Sequence, residues 1–190
     1  MTVDLVLGLG NPGARYAHSR HNAGFDVTAE LLKRRGSIPW MVRPEYELAV
    51  IVPGRPVVLA RPLKYMNRSG EVAESLLAEL GLHPGAMLVV VDDIDLPLGT
   101  LRLKAAGGPG THNGLRDICE HLGTAFPRLR VGIRGTAVGG DLADYVLSTF
   151  DDDETELARA ALHRAAEAVE SVFRFGIEKT MSVFNRPPRD

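Results

Sequence analysis

Residues 3–35 read VDLVLGLGNPGARYAHSRHNAGFDVTAELLKRR, and this stretch decides the fold. Residues 3–8 form a short apolar run that ends in glycine, a pattern typical of a buried strand. A polar loop follows over residues 9–23, and residues 25–35 then show the spacing of an amphipathic helix, with Gly36 as its expected end. A strand, a loop and a helix in this order predict the first unit of an α/β domain.

The rest of the chain continues this alternation. Residues 48–52 and 57–60 flank Pro53-Gly54-Arg55-Pro56 and predict a hairpin. Further strands are predicted at residues 87–91, 101–104 and 129–133, and further helices at residues 69–80, 115–122 and 152–175. We therefore predict a single-domain, three-layer α/β/α fold over residues 1–190, with a central mixed β-sheet.

Side chains at the element ends support this assignment. Ser69 or Asn67 is expected to cap the second helix, and Gly81 to end it. Asp151 and Glu154 form a capping-box pattern, so the acidic run at residues 151–154 is interpreted as the N-terminus of the last helix. Residues 95–97 are predicted to form a turn.

Composition excludes several classes of protein. The chain has 190 residues, 45% of them hydrophobic and 24% charged, as in ordinary globular proteins. One cysteine, Cys119, cannot form an internal disulfide, so a cytoplasmic location is expected. The apolar run at residues 86–91 is far shorter than the ~20 residues of a membrane span, and the N-terminus has no basic segment of a signal peptide.

The charge of the chain is unevenly distributed. The formal net charge is −2, but residues 1–134 carry 16 basic and 13 acidic side chains, whereas residues 135–190 carry 6 and 11. Eighteen of the 22 basic residues are arginine, the side chain best suited to bidentate phosphate contacts. A local basic patch is compatible with this distribution, and a broadly basic surface is not.

The loop after the first strand contains Gly8-Leu9-Gly10-Asn11-Pro12-Gly13, which satisfies the G-x-G-x-x-G pattern of dinucleotide-binding proteins. Such a site requires a helix directly after the glycines and an acidic residue about 20 positions on, after a second strand. Residues 14–22 lack a helical apolar pattern, and Asp26 and Glu30 fall inside the next helix. The cofactor interpretation is therefore the weaker alternative, and a tight turn that presents Asn11 and His21 is the stronger one.

Three polar clusters follow predicted strands and can meet at one edge of the sheet. They are Asn11 with Tyr16 and His21, the aspartates at positions 92, 93 and 95, and His112 with Asn113; residues 65–67 are a fourth contributor. A histidine beside a carboxylate is the outline of a general base. The spacing of His18 and His21 and the aspartate cluster leave a metal site as a minor alternative.

Three multi-residue motifs resemble those of the bacterial peptidyl-tRNA hydrolase family. Residues 7–25 resemble G-L-G-N-P-G-x-x-Y-x-x-T-R-H-N-x-G-F, residues 61–70 resemble R-P-x-x-[YF]-M-N-x-S-G, and residues 92–115 resemble D-[DE]-x-D-L-x-x-G…K-x-G-G-G-x-G-G-H-N-G-L. The departures are Ser19 for threonine, Ala106 and Thr111 for loop glycines, and Arg134 shifted by one place. The resemblance covers nearly the whole chain.

The resemblance implies a role for each matching residue. The general base falls on His21, the aspartate that holds it on Asp92, and the asparagine that recognises a blocked amino end on Asn11. Four residues match the family's contacts to the tRNA 3′ end and the peptide: Tyr16, Tyr65, Asn67 and Asn113. Met66 and His112 lie next to them in the motifs. Phosphate contacts are expected from Lys104 and, less strongly, Arg134.

The implied activity is hydrolysis of the ester between a peptide and the terminal ribose of tRNA. It requires no cofactor and no metal, and water is the expected nucleophile because no serine or cysteine lies in a nucleophile motif. The expected partner is peptidyl-tRNA, contacted at its acceptor arm and 3′ end, and the expected state is a monomer with no membrane association. A non-catalytic RNA-binding relative with the same fold remains the alternative.

Overall fold

A seven-stranded mixed sheet runs through the centre of the molecule. The computed structural model describes residues 2–36, 38–136 and 141–186. In chain order the strands are β1 (Leu5–Gly8), β2 (Met41–Val42), β3 (Tyr46–Ile51), β4 (Val57–Pro62), β5 (Met87–Pro97), β6 (Leu101–Lys104) and β7 (Arg128–Arg134). Their order across the sheet is β2-β3-β4-β1-β5-β7-β6.

Six α-helices surround the sheet in the described residues. They are α1 (Ala23–Lys33), α2 (Ser69–Leu80), α3 (Asn113–Leu122), α4 (Leu142–Leu147), α5 (Thr155–Phe175) and α6 (Ile177–Phe184). No helix of the described residues is both long and apolar enough to cross a membrane.

The four inner strands are parallel, and the outer ones are not. β1 pairs in parallel with β4 on one side and with β5 on the other, and β5 pairs in parallel with β7. The hairpin of β3 and β4, the short strand β2 and the edge strand β6 pair in antiparallel fashion. The carboxyl ends of β1 and β4 therefore lie side by side, next to the middle of the longer strand β5, and ligand crevices form at such strand ends in α/β sheets.

Alternation along the inner strands divides the apolar core into two layers. On β1, Val6 faces the layer with α1 and α5, whereas Leu5 and Leu7 face the layer with α2 and α3. All three side chains are fully buried. Because successive strand residues point to opposite faces, each inner strand contributes to both layers. The predicted three-layer architecture with a mixed sheet is confirmed.

Several of the predicted elements are confirmed. The predicted hairpin is formed by β3 and β4, with its turn at residues 52–56, and β6 has the predicted bounds. Gly81 ends α2 in the left-handed conformation, with φ of 63°. A short strand and two helices were not predicted: β2, α4 and α6. The two helices have only six and eight residues, and an apolar pattern over so short a stretch is a weak sign of a helix.

Three local predictions are wrong. Neither Ser69 nor Asn67 caps α2: Arg68 holds the N-cap position without a side-chain hydrogen bond, and the Ser69 hydroxyl donates to the carbonyl of Met66. Residues 95–97 are strand and not turn, because β5 continues to Pro97, which pairs with Arg134. Residues 152–154 precede α5, the helix predicted over residues 152–175, which starts only at Thr155.

Candidate active site

Close packing of α1 against the sheet places the loop after β1. A β-carbon on Gly8 would overlap the carbonyl oxygen of Gly24, and one on Gly24 would overlap the carbonyl oxygen of Val90. The glycines therefore allow the start of α1 to contact β1 and β5 directly. A 3-10 turn, Arg20–Asn22, immediately precedes α1, so His21 lies beside the middle of β5, just beyond the end of β1.

This packing also decides against the dinucleotide alternative. The first turn after Gly13 is a 3-10 turn, Ala14–Tyr16, and α1 begins only at Ala23. The helix N-terminus that would bind a pyrophosphate is therefore absent from the glycine turn. Gly8 is instead explained by the close contact of α1 with the sheet, which leaves no space for a side chain.

His21 and Asp92 form a buried pair. Nδ1 of His21 lies 2.8 Å from Oδ1 of Asp92, and the two residues are 8% and 3% exposed. They are 71 positions apart in the chain, and the parallel pairing of β1 and β5 brings them together. The structure thus places both residues as the motif resemblance implies.

His112 is a third member of this cluster, and its bond to Asp92 was not predicted. Its Nε2 lies 3.0 Å from the same Oδ1 of Asp92, and its Nδ1 accepts a hydrogen bond of 3.1 Å from the backbone N–H of Leu115. His112 is the N-cap residue of α3. The only sign of this role in the sequence is a histidine three positions before the predicted helix over residues 115–122.

The N-cap hydrogen bond determines the tautomer of the His112 ring, that is, which nitrogen of the neutral ring carries the proton. Because Nδ1 accepts a hydrogen bond, the proton of the neutral ring is on Nε2 and is donated to Asp92. Both nitrogens of His112 are then occupied. In His21 only Nδ1 has a partner among the described residues, so Nε2 is the nitrogen that can take a proton from water.

The same geometry argues against a metal centre. Ligand atoms of His21, Asp92 and His112 lie within 4.8 Å of one another, as in a two-histidine carboxylate site. A neutral His112 coordinating through Nε2 would carry its proton on Nδ1, which faces the N–H of Leu115. The cluster therefore does not fit a metal unless the cap of α3 is broken. His18, the other candidate ligand, binds Asp26 instead.

The pKa values of the pair follow from burial and charge. Burial lowers the pKa of His21, but the charge of Asp92 and the hydrogen bond to it outweigh burial and raise this pKa above the ordinary 6.5. Burial raises the pKa of Asp92, but His21 and His112 outweigh it and hold this pKa well below its ordinary value. Asp92 is therefore a carboxylate at neutral pH.

Asn11 is held rigidly beside this cluster. Its backbone N–H donates to Oδ1 of Asn22 over 2.8 Å, and its own Oδ1 accepts a 2.8 Å hydrogen bond from the backbone N–H of Met66. Asn11 is 7% exposed. With its oxygen bound in this way, the amide nitrogen is the atom that Asn11 offers to a ligand.

A cavity of about 220 Å³ adjoins the cluster. His21, Asp92, His112 and Asn113 line one part of it, and three residues of α4 form an apolar wall: Leu142, Ala143 and Val146. A larger groove of about 490 Å³ lies between α1 and α5, away from these residues. The smaller cavity is the functional candidate, because it contains the histidine with the free nitrogen.

Of the four predicted contact residues, only Asn113 lines this cavity, and the other three lie outside its lining: Tyr16, Tyr65 and Asn67. Tyr16 and Tyr65 pack edge to face with ring centroids 6.4 Å apart, and Tyr65 is 55% exposed. Asn67 is exposed on the turn before α2, and Asn113 is exposed at the start of α3. The rings and the cavity therefore form two separate surfaces for a ligand.

An ion pair in the lining of the cavity was also not predicted. Arg130 donates to Oδ2 of Asp93 over 2.8 Å and to the carbonyl of Pro109 over 2.8 Å. Its neighbour on the same strand face, Arg128, donates to the carbonyls of Gly107 and Gly108. The two arginines fix the glycine loop that leads to His112, and the alternation Arg128-Leu129-Arg130 is the signal that sequence reading missed.

The fold and the cavity define a class of enzyme. A histidine with one free imidazole nitrogen, oriented by a buried carboxylate, is the arrangement of a general base that activates water, as in hydrolytic enzymes that lack a serine or cysteine nucleophile.

Comparison with known proteins identifies the family. The model of the family described as peptidyl-tRNA hydrolase matches residues 5–190. The peptidyl-tRNA hydrolase of Roseiflexus castenholzii is 44% identical over 187 residues, which are 97% of this chain and 87% of the relative. That of Rubrobacter xylanophilus is 45% identical over 179 residues, covering 94% and 98%. The crystal structure of peptidyl-tRNA hydrolase from Acinetobacter baumannii has a TM-score of 0.90 at 34% identity, covering 97% and 95%. The chain belongs to the peptidyl-tRNA hydrolase family.

Proposed function

We propose that this chain hydrolyses the ester between a peptide and the 3′-terminal ribose of tRNA, with His21 as the general base. The observation that carries the proposal is the pattern of bonds around Asp92. Two imidazoles donate to one carboxylate oxygen, and of these two rings only His21 keeps a nitrogen free. Free tRNA and a released peptide are the products.

The base acts on water. Nε2 of His21 takes a proton from a water molecule as its oxygen attacks the ester carbonyl, and the imidazolium returns that proton to the leaving ribose oxygen. Asp92 holds the tautomer with the proton on Nδ1 and stabilises the imidazolium by its charge. No serine or cysteine lines the described cavity, which supports water as the nucleophile.

His112 is a positioning residue in this mechanism. Its Nε2–H donates to Asp92 and its Nδ1 is fixed by α3, so the carboxylate is oriented by a group anchored to a helix. A second donor on Oδ1 keeps Asp92 ionised and limits rotation of the carboxylate.

The tRNA end is recognised by aromatic, amide and basic side chains. Tyr16 and Tyr65 offer ring faces for the unpaired 3′ bases, and Asn67 and Asn113 offer amide donors to the 3′ nucleotide or the developing oxyanion. Lys104 and Arg134 contact phosphates of the acceptor arm. We further propose that the enzyme acts as a monomer in the cytoplasm, without a cofactor. A family member that binds RNA without hydrolysing it would not need the free nitrogen of His21.

The pH dependence of turnover tests the pair. His21 must be unprotonated to act, so in the wild type the rate rises with pH through a pKa above 6.5. In Asp92→Asn the charge is lost and burial remains, so we expect the acid limb to move down by about 1–3 pH units, with reduced turnover. The assay is release of an N-blocked aminoacyl group from tRNA across pH 5–8, with the exposed aspartate variant Asp152→Asn as control. An acid limb unchanged in Asp92→Asn would remove Asp92 from the mechanism.

A further inference from the structure

Arg20 precedes the proposed base and is itself buried. It belongs to the same 3-10 turn as His21, and it is 1% exposed. A fully buried guanidinium needs partners for its charge and its donors. Among the residues that the structure describes, the side-chain partners of Arg20 all lie between Ile133 and Glu154, a segment that includes α4.

The hydrogen bonds of Arg20 connect it to both ends of that segment. Its Nη2 lies 2.5 Å from Oε2 of Glu154, and its Nη1 donates to the carbonyl of Ile133 over 3.3 Å. Its Nε lies 3.4 Å from Oγ of Ser148. Burial raises the pKa of Glu154, but the hydrogen bond and charge of Arg20, together with the hydrogen bond from the backbone of Asp151, outweigh burial and lower this pKa below its ordinary value.

Two aromatic rings complete the site around the guanidinium. Its carbon lies 4.3 Å from the ring centroid of Tyr145 and 4.7 Å from that of Phe150. Cations over aromatic faces are stabilised, most strongly where water is excluded. Tyr145 belongs to α4, and Phe150 follows that helix.

Backbone contacts attach the same segment to the turn of His21. The N–H of Arg20 donates to the carbonyl of Ser148 over 2.9 Å, and Ser19 forms an isolated antiparallel bridge with Thr149. Tyr145 also bonds to the end of β7: its hydroxyl donates to the carbonyl of Ile133 over 3.1 Å and accepts from the N–H of Gly135 over 2.9 Å.

Gly135 leaves the space that these contacts need. A β-carbon at this position would overlap the Glu154 carboxylate and lie 3.4 Å from the Tyr145 hydroxyl. The chain therefore passes close to the Arg20–Glu154 pair at a residue with no side chain.

Helix α4 thus has two faces with different tasks. Leu142, Ala143 and Val146 line the cavity beside His21, whereas Tyr145 is 9% exposed and packs on Arg20. We propose that Arg20, Tyr145 and Glu154 form a positioning network that holds α4 as the substrate-binding wall of the active site. This inference rests on the proposed function, because it assigns the wall to the substrate that His21 hydrolyses.

Tyr145→Phe tests the network with little disturbance of the fold. The ring remains over Arg20, and only the two hydrogen bonds to Ile133 and Gly135 are lost. We expect KM for N-blocked aminoacyl-tRNA to rise by about threefold to tenfold, the effect of weakening one or two hydrogen bonds. We expect kcat to change by less than about twofold, and the acid limb of the pH profile to stay in place, since the His21–Asp92 pair is intact.

The matched control is Tyr46→Phe. Tyr46 is also a buried tyrosine, 5% exposed, whose hydroxyl donates to Glu79, and it lies on β3 outside the cavity lining. Both variants lose hydroxyl hydrogen bonds and some stability, but only Tyr145→Phe is expected to raise KM. Equal KM values in the wild type and both variants would overturn the network.

Arg20→Lys and Arg20→Met extend the test. Lysine keeps the charge opposite Glu154 and loses the planar stacking, so its KM should lie between those of the wild type and Arg20→Met. A KM for Arg20→Met equal to the wild-type value would also overturn the inference. Retention of turnover in His21→Ala would instead contradict the proposed function, so the two failures are distinguishable.

Discussion

The amide of Asn11 has one atom free for substrate. Its oxygen is bound to the backbone of Met66, and its nitrogen remains as a donor. An asparagine side chain can both accept from an amide N–H and donate to a carbonyl, and the bond to Met66 favours donation by Asn11. A peptide carbonyl next to the blocked amino end can accept this bond, whereas the ammonium of ordinary aminoacyl-tRNA cannot.

Asn11 variants are expected to change the choice of substrate. Asn11→Asp replaces the donor by a carboxylate, so hydrolysis of N-blocked aminoacyl-tRNA should slow and the gap to the unblocked substrate should narrow. Asn11→Ala should lose the preference while His21 still activates water. The measurement is the ratio of kcat/KM for blocked and unblocked aminoacyl-tRNA, which needs no correction for active enzyme concentration. A wild-type ratio in both variants would leave Asn11 as a turn residue only.

The sequence indicated individual candidate residues of the site, but it did not indicate the hydrogen bonds and ion pairs between them. Asn11, His21 and Asp92 were assigned from motifs, and the structure brings them to one edge of the sheet. The role of His112 depends on which ring nitrogen accepts the N–H of Leu115, and a motif does not contain that information. The pairing of Arg20 with Glu154, 134 positions away, was also missed, because the acidic run already had an explanation as a helix start.

Among the elements, the edge strand β6 is the one that we propose for contact with the RNA backbone. Its residues alternate buried and exposed, with Leu101 and Leu103 in the core and Arg102 and Lys104 facing solvent. The strand leads into the glycine loop that ends at His112. A phosphate backbone along this edge would meet two cations before the 3′ end reached the cavity.

Lys104→Ala is expected to weaken tRNA binding and its salt dependence. Each lost phosphate contact should reduce the slope of log K against log salt by about 0.7–0.9, because fewer counterions are released. The measurement is tRNA affinity at several salt concentrations, with Lys33→Ala, an exposed lysine on α1, as the control. Equal slopes in Lys104→Ala and the wild type would place Lys104 outside the interface.

Element prediction succeeded where the local pattern agrees with tertiary contacts. The hairpin of β3 and β4 has both a proline–glycine turn and two apolar runs. The prediction failed at residues 95–97, where a local turn signal is overruled by pairing of β5 with β7. It also missed α6, which is held by tertiary contacts such as the bond of Ser171 to Thr180.

For the whole molecule, the shared sheet predicts cooperative unfolding. Both core layers contain residues of the same inner strands, for example Leu88 in one and Val89 in the other. Loss of one layer would therefore expose the sheet that supports the other. We expect one transition in urea, with the fluorescence of Trp40 and far-ultraviolet circular dichroism giving the same midpoint. Two separated midpoints would contradict a single domain over residues 1–190.

The proposed mechanism of hydrolysis depends on His21 as the base that activates water. The most direct measurement is the release of an N-blocked aminoacyl group from purified tRNA, with the wild type and His21→Ala compared at saturating substrate. We predict that turnover falls by about 10²–10⁴-fold, the range for loss of a general base, while tRNA affinity changes little. Turnover in His21→Ala close to the wild-type value would contradict the mechanism.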